Sequence, residues 1–258
     1  MKPCELPPSF YHRHVAETDS TSREVRALLQ EAGDDKPFLV LSAGFQTAGR
    51  GQRGNSWESA RDENLLFSVL ARPVFLPAAQ QFYLSCVASL AVRDALALYA
   101  EDVCVKWPND VYLCGRKVCG ILIECDLAGN MLERVCMGIG INVNQTEFLS
   151  DAPNPVSLRQ VLQKTVAVDE LFCTVLRLIE GNYGLLKQGR GDELLARYRQ
   201  LLFRREGMYD YRDGQGEFRA EIVSVDPDGH LQLRDEQGCM RRYAFKEVKF
   251  VFPRFSLS

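Results

Sequence analysis

The order of apolar and polar positions divides the chain into a mixed first part and a strand-rich tail. Residues 1–16 read as a lead-in that ends in a strand. Asp19-Ser20-Thr21-Ser22-Arg23-Glu24 follows, with Thr21 and Glu24 at capping-box spacing. Val25, Leu28, Leu29 and Ala32 then recur at helical intervals, and Gly33 closes the pattern. This predicts a helix whose first turn carries Ser20 and Thr21, where backbone N–H groups are free. A buried strand is expected at 38–43, a loop rich in glycine and arginine at 46–57, and another strand at 64–71. The run 78–99 is long and mostly apolar, which predicts a helix buried on more than one face.

Further strands are expected at 103–107, where Pro108 stops the run, at 111–113, and at 117–125 after the tight turn Cys114-Gly115. Another is expected at 132–142, after the turn Ala128-Gly129-Asn130. Residues 156–203 read as helical, most clearly at 168–186 and 192–203. The character changes near Arg204-Arg205-Glu206-Gly207. Beyond it, turns at Asp213-Gly214, Asp228-Gly229 and Gln237-Gly238 separate short β runs, the pattern of a small barrel. The fold class expected is α+β, a mixed β-sheet flanked by helices without regular βαβ alternation. Its domains are expected at 1–205 and 206–258.

Composition narrows the classes. Of 258 residues 46% are hydrophobic and 25% charged, enough for a sizeable core. A net charge of −3 does not suggest wholesale nucleic-acid binding. No apolar run reaches the length of a membrane helix, and the N-terminus has no apolar signal region. The nine cysteines form no Cys-x-x-Cys pair. Cys86, Cys104, Cys119 and Cys136 sit in apolar runs and read as small buried hydrophobes of a reducing cytoplasm. With three histidines, the chain's chemistry is expected to rest on placed charge rather than on imidazole.

Four strings stand out. Gly49-Arg50-Gly51-Gln52-Arg53-Gly54 matches the dinucleotide fingerprint by letter, but no helix pattern follows it. It reads either as a mobile loop closing over phosphate or as a solvated surface loop. Lys106-Trp107-Pro108-Asn109-Asp110 ends a strand with an aromatic plane and a carboxylate, suited to a hard cation or to a turn over a core Trp. Lys117 opens an otherwise apolar strand and faces either an anionic ligand or the strand's edge. Gly138-Ile139-Gly140-Ile141-Asn142 puts two glycines in a strand, allowing close approach or plain twist.

Taken together with Asp19-Ser20-Thr21-Ser22 and Gln46, these strings resemble the biotin–protein ligases in order and spacing, from about residue 10 to the tail. The resemblance implies a catalytic domain related to class II aminoacyl-tRNA synthetases, followed by an SH3-like barrel. Ser20, Thr21, Ser22 and Gln46 would bind the biotin head. Arg50, Gly51 and Gln52 would close over the biotin carboxylate and the nucleotide phosphate, with Lys117 beside both. Arg53, Trp57, Asn109 and Asn142 would serve the nucleotide, and Asp110 a Mg2+ ion. Catalysis would rest on Lys117, Arg50 and Asp110. Two positions depart from the family pattern: Ser22 stands where asparagine is common, and Gln52 where arginine is.

The implied activity joins biotin to AMP at the expense of ATP. It then passes biotin to a lysine of a biotin carboxyl carrier domain. The resemblance is to the single-function class, cytoplasmic, monomeric or homodimeric, without DNA or membrane binding, since about ten residues precede the catalytic pattern. A lipoyl or octanoyl transferase of the same superfold, and a non-catalytic biotin sensor, are the competing readings. The first is disfavoured by Lys106–Asp110 and the Gly-Arg loop, the second by the presence of Lys117 and Arg50.

Overall fold

The computed structural model describes residues 5–31, 36–51, 55–150 and 154–252. Seven strands form one sheet in the order β1-β2-β3-β7-β6-β5-β4. They are β1 (Phe10–Thr18), β2 (Phe38–Gln46), β3 (Leu65–Ala71), β4 (Val103–Lys106), β5 (Asp110–Leu113), β6 (Arg116–Ala128) and β7 (Met131–Ile141). β1 and β2 run parallel and every other neighbouring pair is antiparallel, so the sheet is mixed.

Strand alternation gives each face its own core. One face turns Phe38, Val40, Phe67, Val69, Met137 and Ile139 toward α2 (Phe82–Leu96), α4 (Val168–Lys187) and α5 (Gly191–Gln200). Every residue of α2 except Arg93 and Asp94 is buried, as its apolar composition predicts. The opposite face turns Leu39, Leu41, Leu70 and Cys136 toward Val25 and Leu28 of a short helical segment. Its other strands are left to the functional site.

That segment is shorter and tighter than its periodicity predicts. α1 (Thr21–Glu24) makes a single turn and continues as a 3-10 helix, Val25–Gln30; Ala32 and Gly33 lie outside the described residues. No capping box forms: Glu24 accepts from the Thr18 hydroxyl, and Thr21 is engaged elsewhere. The apolar run at 78–99 likewise opens with a 3-10 turn, Ala78–Gln80, before α2. A brief helix, α3 (Leu158–Leu162), has the true capping box, between Ser157 and Gln160.

The tail forms a five-stranded antiparallel sheet, β8 (Tyr209–Asp213), β9 (Gly216–Val225), β10 (Leu231–Asp235), β11 (Met240–Tyr243) and β12 (Lys249–Phe250), in the order β11-β10-β9-β8-β12. β12 has only two residues and pairs with β8 alone, so among the described residues the sheet stays open. Its inner residues Tyr211, Val225, Leu231 and Leu233 join the same core as the large sheet. Trp107, 2% exposed, donates from Nε1 to the Gly229 carbonyl at 2.9 Å and meets Phe245 edge-on.

Candidate functional site

The site lies on the face of the sheet that also carries α1. Register brings three rows of residues across β3, β7 and β6: Leu66–Gly140–Gly120, Ser68–Gly138–Leu122 and Leu70–Cys136–Glu124. The centre of this floor is bare because glycine occupies Gly120, Gly138 and Gly140. Its two ends carry different chemistry.

At one end, hydroxyls converge. Ser20, Thr21 and Ser22 are all buried at the start of α1, where free N–H groups gather. The Thr21 backbone N–H and its hydroxyl both donate to Gln46 Oε1, at 2.8 and 3.1 Å. With its hydrogen so used, the Thr21 hydroxyl accepts from Ser68 Oγ at 2.8 Å. Ser20 Oγ and Ser22 Oγ lie 3.0 Å apart. Ser22 rests over Gly138: a Cβ placed there would sit 3.5 Å from Ser22 Cβ.

At the other end lies Trp57. A Cβ on Gly120 would come within 2.7 Å of its ring, and one on Gly140 within 2.5 Å. Only glycine pairs let an indole lie this close to the sheet. Trp57 Nε1 and Asn142 Oδ1 are buried without a hydrogen-bond partner among the described residues. Asn142 is otherwise fixed, donating from Nδ2 to Val156 O at 3.2 Å. A buried polar atom left unpaired costs about 1–3 kcal/mol, so each of these two has hydrogen-bonding capacity to offer a ligand.

Lys117 reaches this end through a register shift. β6 pairs Cys119 with Val111 but Lys117 with Tyr112, so Val118 is an extra residue in the ladder. Such a bulge re-aims the side chain beyond it. The Lys117 Cε thereby lies 3.5 Å from the Gly120 Cβ position, and its Nζ lies 2.8 Å from Asp110 Oδ2 and 5.8 Å from the Trp57 ring centre.

Asp110 is aimed by the turn before it, in which the Trp107–Pro108 peptide is cis. The Pro108 carbonyl accepts from Tyr198 at 2.8 Å, and Asn109, 4% exposed, donates to Ile121 O at 2.7 Å. Trp107 belongs to the core between the two sheets, which answers the two readings of that string: the aromatic plane is structural, the carboxylate is at the site. Lys106, opposite Asp110 in register, lies 4.6 Å from the Phe250 ring, and burial lowers its pKa.

Arg50 bridges the site's mouth. It sits at the base of the glycine-rich loop, where an Arg50–Ser56 bridge and the Gly51 N–H to Asn55 O bond, 2.7 Å, close the loop's ends. Its guanidinium grips Glu124 with both terminal nitrogens, at 3.2 and 2.6 Å, and Nη1 lies 3.5 Å from Ser22 Oγ. Gln52 and Arg53 lie outside the described residues. Ser68 and Glu124 are the two site residues that sequence reasoning missed. Period-two alternation from Gly120 would have found Glu124.

No group of three or more His, Cys, Asp or Glu side chains gathers to hold a metal among the described residues. His12 Nε2 and His14 Nδ1 instead share the Ser42 hydroxyl, at 2.8 and 3.0 Å, on β1 away from the site.

A floor of three glycines, with hydroxyls and Arg50 toward one end and Trp57 and Lys117 at the other, has relatives. The biotin/lipoate A/B protein ligase family matches residues 16–142. The biotin--[acetyl-CoA-carboxylase] ligase of Mycobacterium tuberculosis is 37% identical over 72% of this chain and 68% of its own length. The chain belongs to the biotin protein ligase family. A bifunctional ligase/repressor, BirA of Bacillus subtilis, is 33% identical over 91% of this chain and 72% of its own length. Among solved structures, the biotin protein ligase from Aquifex aeolicus in complex with biotin and ATP superposes with a TM-score of 0.75 at 26% identity, covering 93% of this chain and 99% of that one.

Proposed function

We propose that this family member activates biotin with ATP to biotinyl-5'-AMP and passes the biotinyl group to a lysine of a biotin carboxyl carrier domain. The observation that carries the reading is the glycine floor with hydroxyls and Arg50 toward one end and Trp57 and Lys117 at the other. The hydroxyl end, with Ser20, Thr21, Ser22 and Gln46, suits a neutral head that both donates and accepts, as the ureido group of biotin does. Trp57 offers adenine an aromatic face, Asn142 Oδ1 an acceptor for its amino group, and Asn109 holds the wall behind.

Activation requires a carboxylate to attack the α-phosphate, so two anions must meet. A carboxylate oxygen–phosphorus bond forms as the α–β bond breaks, and pyrophosphate leaves with the electron pair. Lys117 and Arg50, with Gly51, Gln52 and Arg53 of the loop, offset that repulsion. In the second step a neutral lysine amine attacks the anhydride carbonyl and AMP departs. Asp110, already beside Lys117, is placed to take the amine's proton. Asp110 would supply one oxygen ligand to a Mg2+ ion, which would offset the charge of the phosphates.

The proposal extends to a catalytic unit at 1–205 with an SH3-like module at 206–258, supported by the short antiparallel strands of the tail. It extends also to a monomeric or homodimeric cytoplasmic enzyme without operator binding. No helix among the described residues is long and apolar enough to cross a membrane. Biotin-dependent release of pyrophosphate, followed by biotin transfer to a carrier domain, tests the activity. Equal use of lipoate would favour the acyltransferase reading, and a salt-resistant gel shift would add repression.

A further inference from the structure

Glu124 has no part in the chemistry derived above, yet among the described residues it makes the closest side-chain contact with Arg50. It stands on β6 two residues beyond Leu122, on the same face as the glycine floor and level with Cys136. Its carboxylate takes one hydrogen from each terminal nitrogen of Arg50, at 3.2 and 2.6 Å. That is the end-on fork of the guanidinium. The side-on fork, made of Nε–H and the outer hydrogen of Nη2, makes no hydrogen bond with a described residue and has the geometry to hold a second bidentate anion. The pair is two-thirds shielded, with side-chain exposures of 34% and 29%, so its geometry is worth more than that of a surface bridge. Arg50 itself sprouts from a glycine-flanked loop base that would otherwise leave a long side chain free to rotate.

We infer that Glu124 is a positioning residue for the activation step: it holds the end-on fork of Arg50 so that the side-on fork faces the reacting carboxylate and phosphate. This rests on the reading that Arg50 meets those anions. On this reading Glu124 acts through Arg50 and not on a substrate, so its whole effect should pass through that side chain. It orients the cation without silencing it, because a guanidinium has donors for two anions at once.

The test is a double-mutant cycle on the full chain, read by biotin-dependent pyrophosphate release. Glu124→Gln and Glu124→Ala should each lower kcat on the order of tenfold to a hundredfold, with Glu124→Asp recovering part of the loss. In an Arg50→Ala background, Glu124→Gln should cause no further loss. Added guanidinium should partly restore Arg50→Ala but not Arg50→Ala/Glu124→Ala. Full activity in Glu124→Gln, or the same loss with and without Arg50, would overturn the inference. An inactive parent protein would instead sink the ligase reading. If Glu124→Ala unfolds, the Gln and Asp variants carry the test.

Discussion

Gly140 stands directly opposite Gly120 across β7 and β6, and the indole of Trp57 lies over the two at once. Neither position has room for a Cβ. Gly140→Ala should therefore push Trp57 off the sheet. Overpacking of this kind costs about 1–3 kcal/mol, and the displaced ring no longer presents its face to the nucleotide. The KM for ATP should rise about tenfold or more while the KM for biotin changes little. Steady-state kinetics with each substrate varied checks this, and an unchanged ATP KM would contradict the placement.

Lys117→Ala should lower adenylate formation by on the order of a hundredfold or more, several kcal/mol in the barrier. The substitution also strips Asp110 of its 2.8 Å partner, so Asp110→Asn is the informative companion. That variant should keep most pyrophosphate release but slow transfer to the carrier domain. Single-turnover assays of the two steps separate the roles. Loss of the first step alone in Asp110→Asn would reverse the assignment.

Protonation of His12 should make stability depend on pH. Burial chiefly, and then His14, lower its pKa below 6.5, while Asp169 acts in the opposite sense. Its ring also packs on Phe172 and meets the Ser42 hydroxyl. A lowered folded value means the unfolded chain binds the proton first as pH falls. The stabilisation is then full above about 6.5 and is lost as pH drops from there through the folded value. Urea titrations between about pH 7 and 5 should show a shallower slope for His12→Asn. Identical slopes would remove His12 as the cause.

Ending the chain at residue 206 should leave a poorly folded, inactive protein. Trp107 would lose the Gly229 carbonyl and its cover, and Phe82 the close contact it makes at Gly229. Exposing an aromatic core residue forfeits roughly 1.5–3 kcal/mol. The milder Trp107→Phe keeps a ring there and should cost about 1 kcal/mol for the hydrogen bond, plus any packing loss. Thermal melts and pyrophosphate release measure both. A soluble, active truncation would show that the turn holds Asp110 without the tail.

The strands were legible because their period and their turns agree: β2, β3, β6 and β7 fall within a few residues of the runs that predict them. The helix after Ser20 was read too long. Its 3.6 spacing is real, but Thr21 spends its hydroxyl on Gln46 and Glu24 turns to Thr18, so nothing caps a longer helix. The glycines of β6 and β7 could be seen as permitting close approach, but the guest was hidden. Trp57 lies far from them in sequence, across the Gly-Arg loop. Ser68 was invisible inside an apolar strand, and Glu124 looked like the end of one. The bulge that turns Lys117 to the site left no trace in composition, since Val118 is as apolar as its neighbours.

The hydrogen bond from Trp107 to Gly229 joins the turn that aims Asp110 to a residue more than a hundred positions later in the chain. During synthesis the turn must therefore wait. A nascent chain that has emerged only through α5 has its serines, its glycines and both cations, but not the support behind Asp110. On the role proposed for Asp110, such a chain would be ready for the first step before the second, so it is transfer to the carrier domain that depends on the tail being in place.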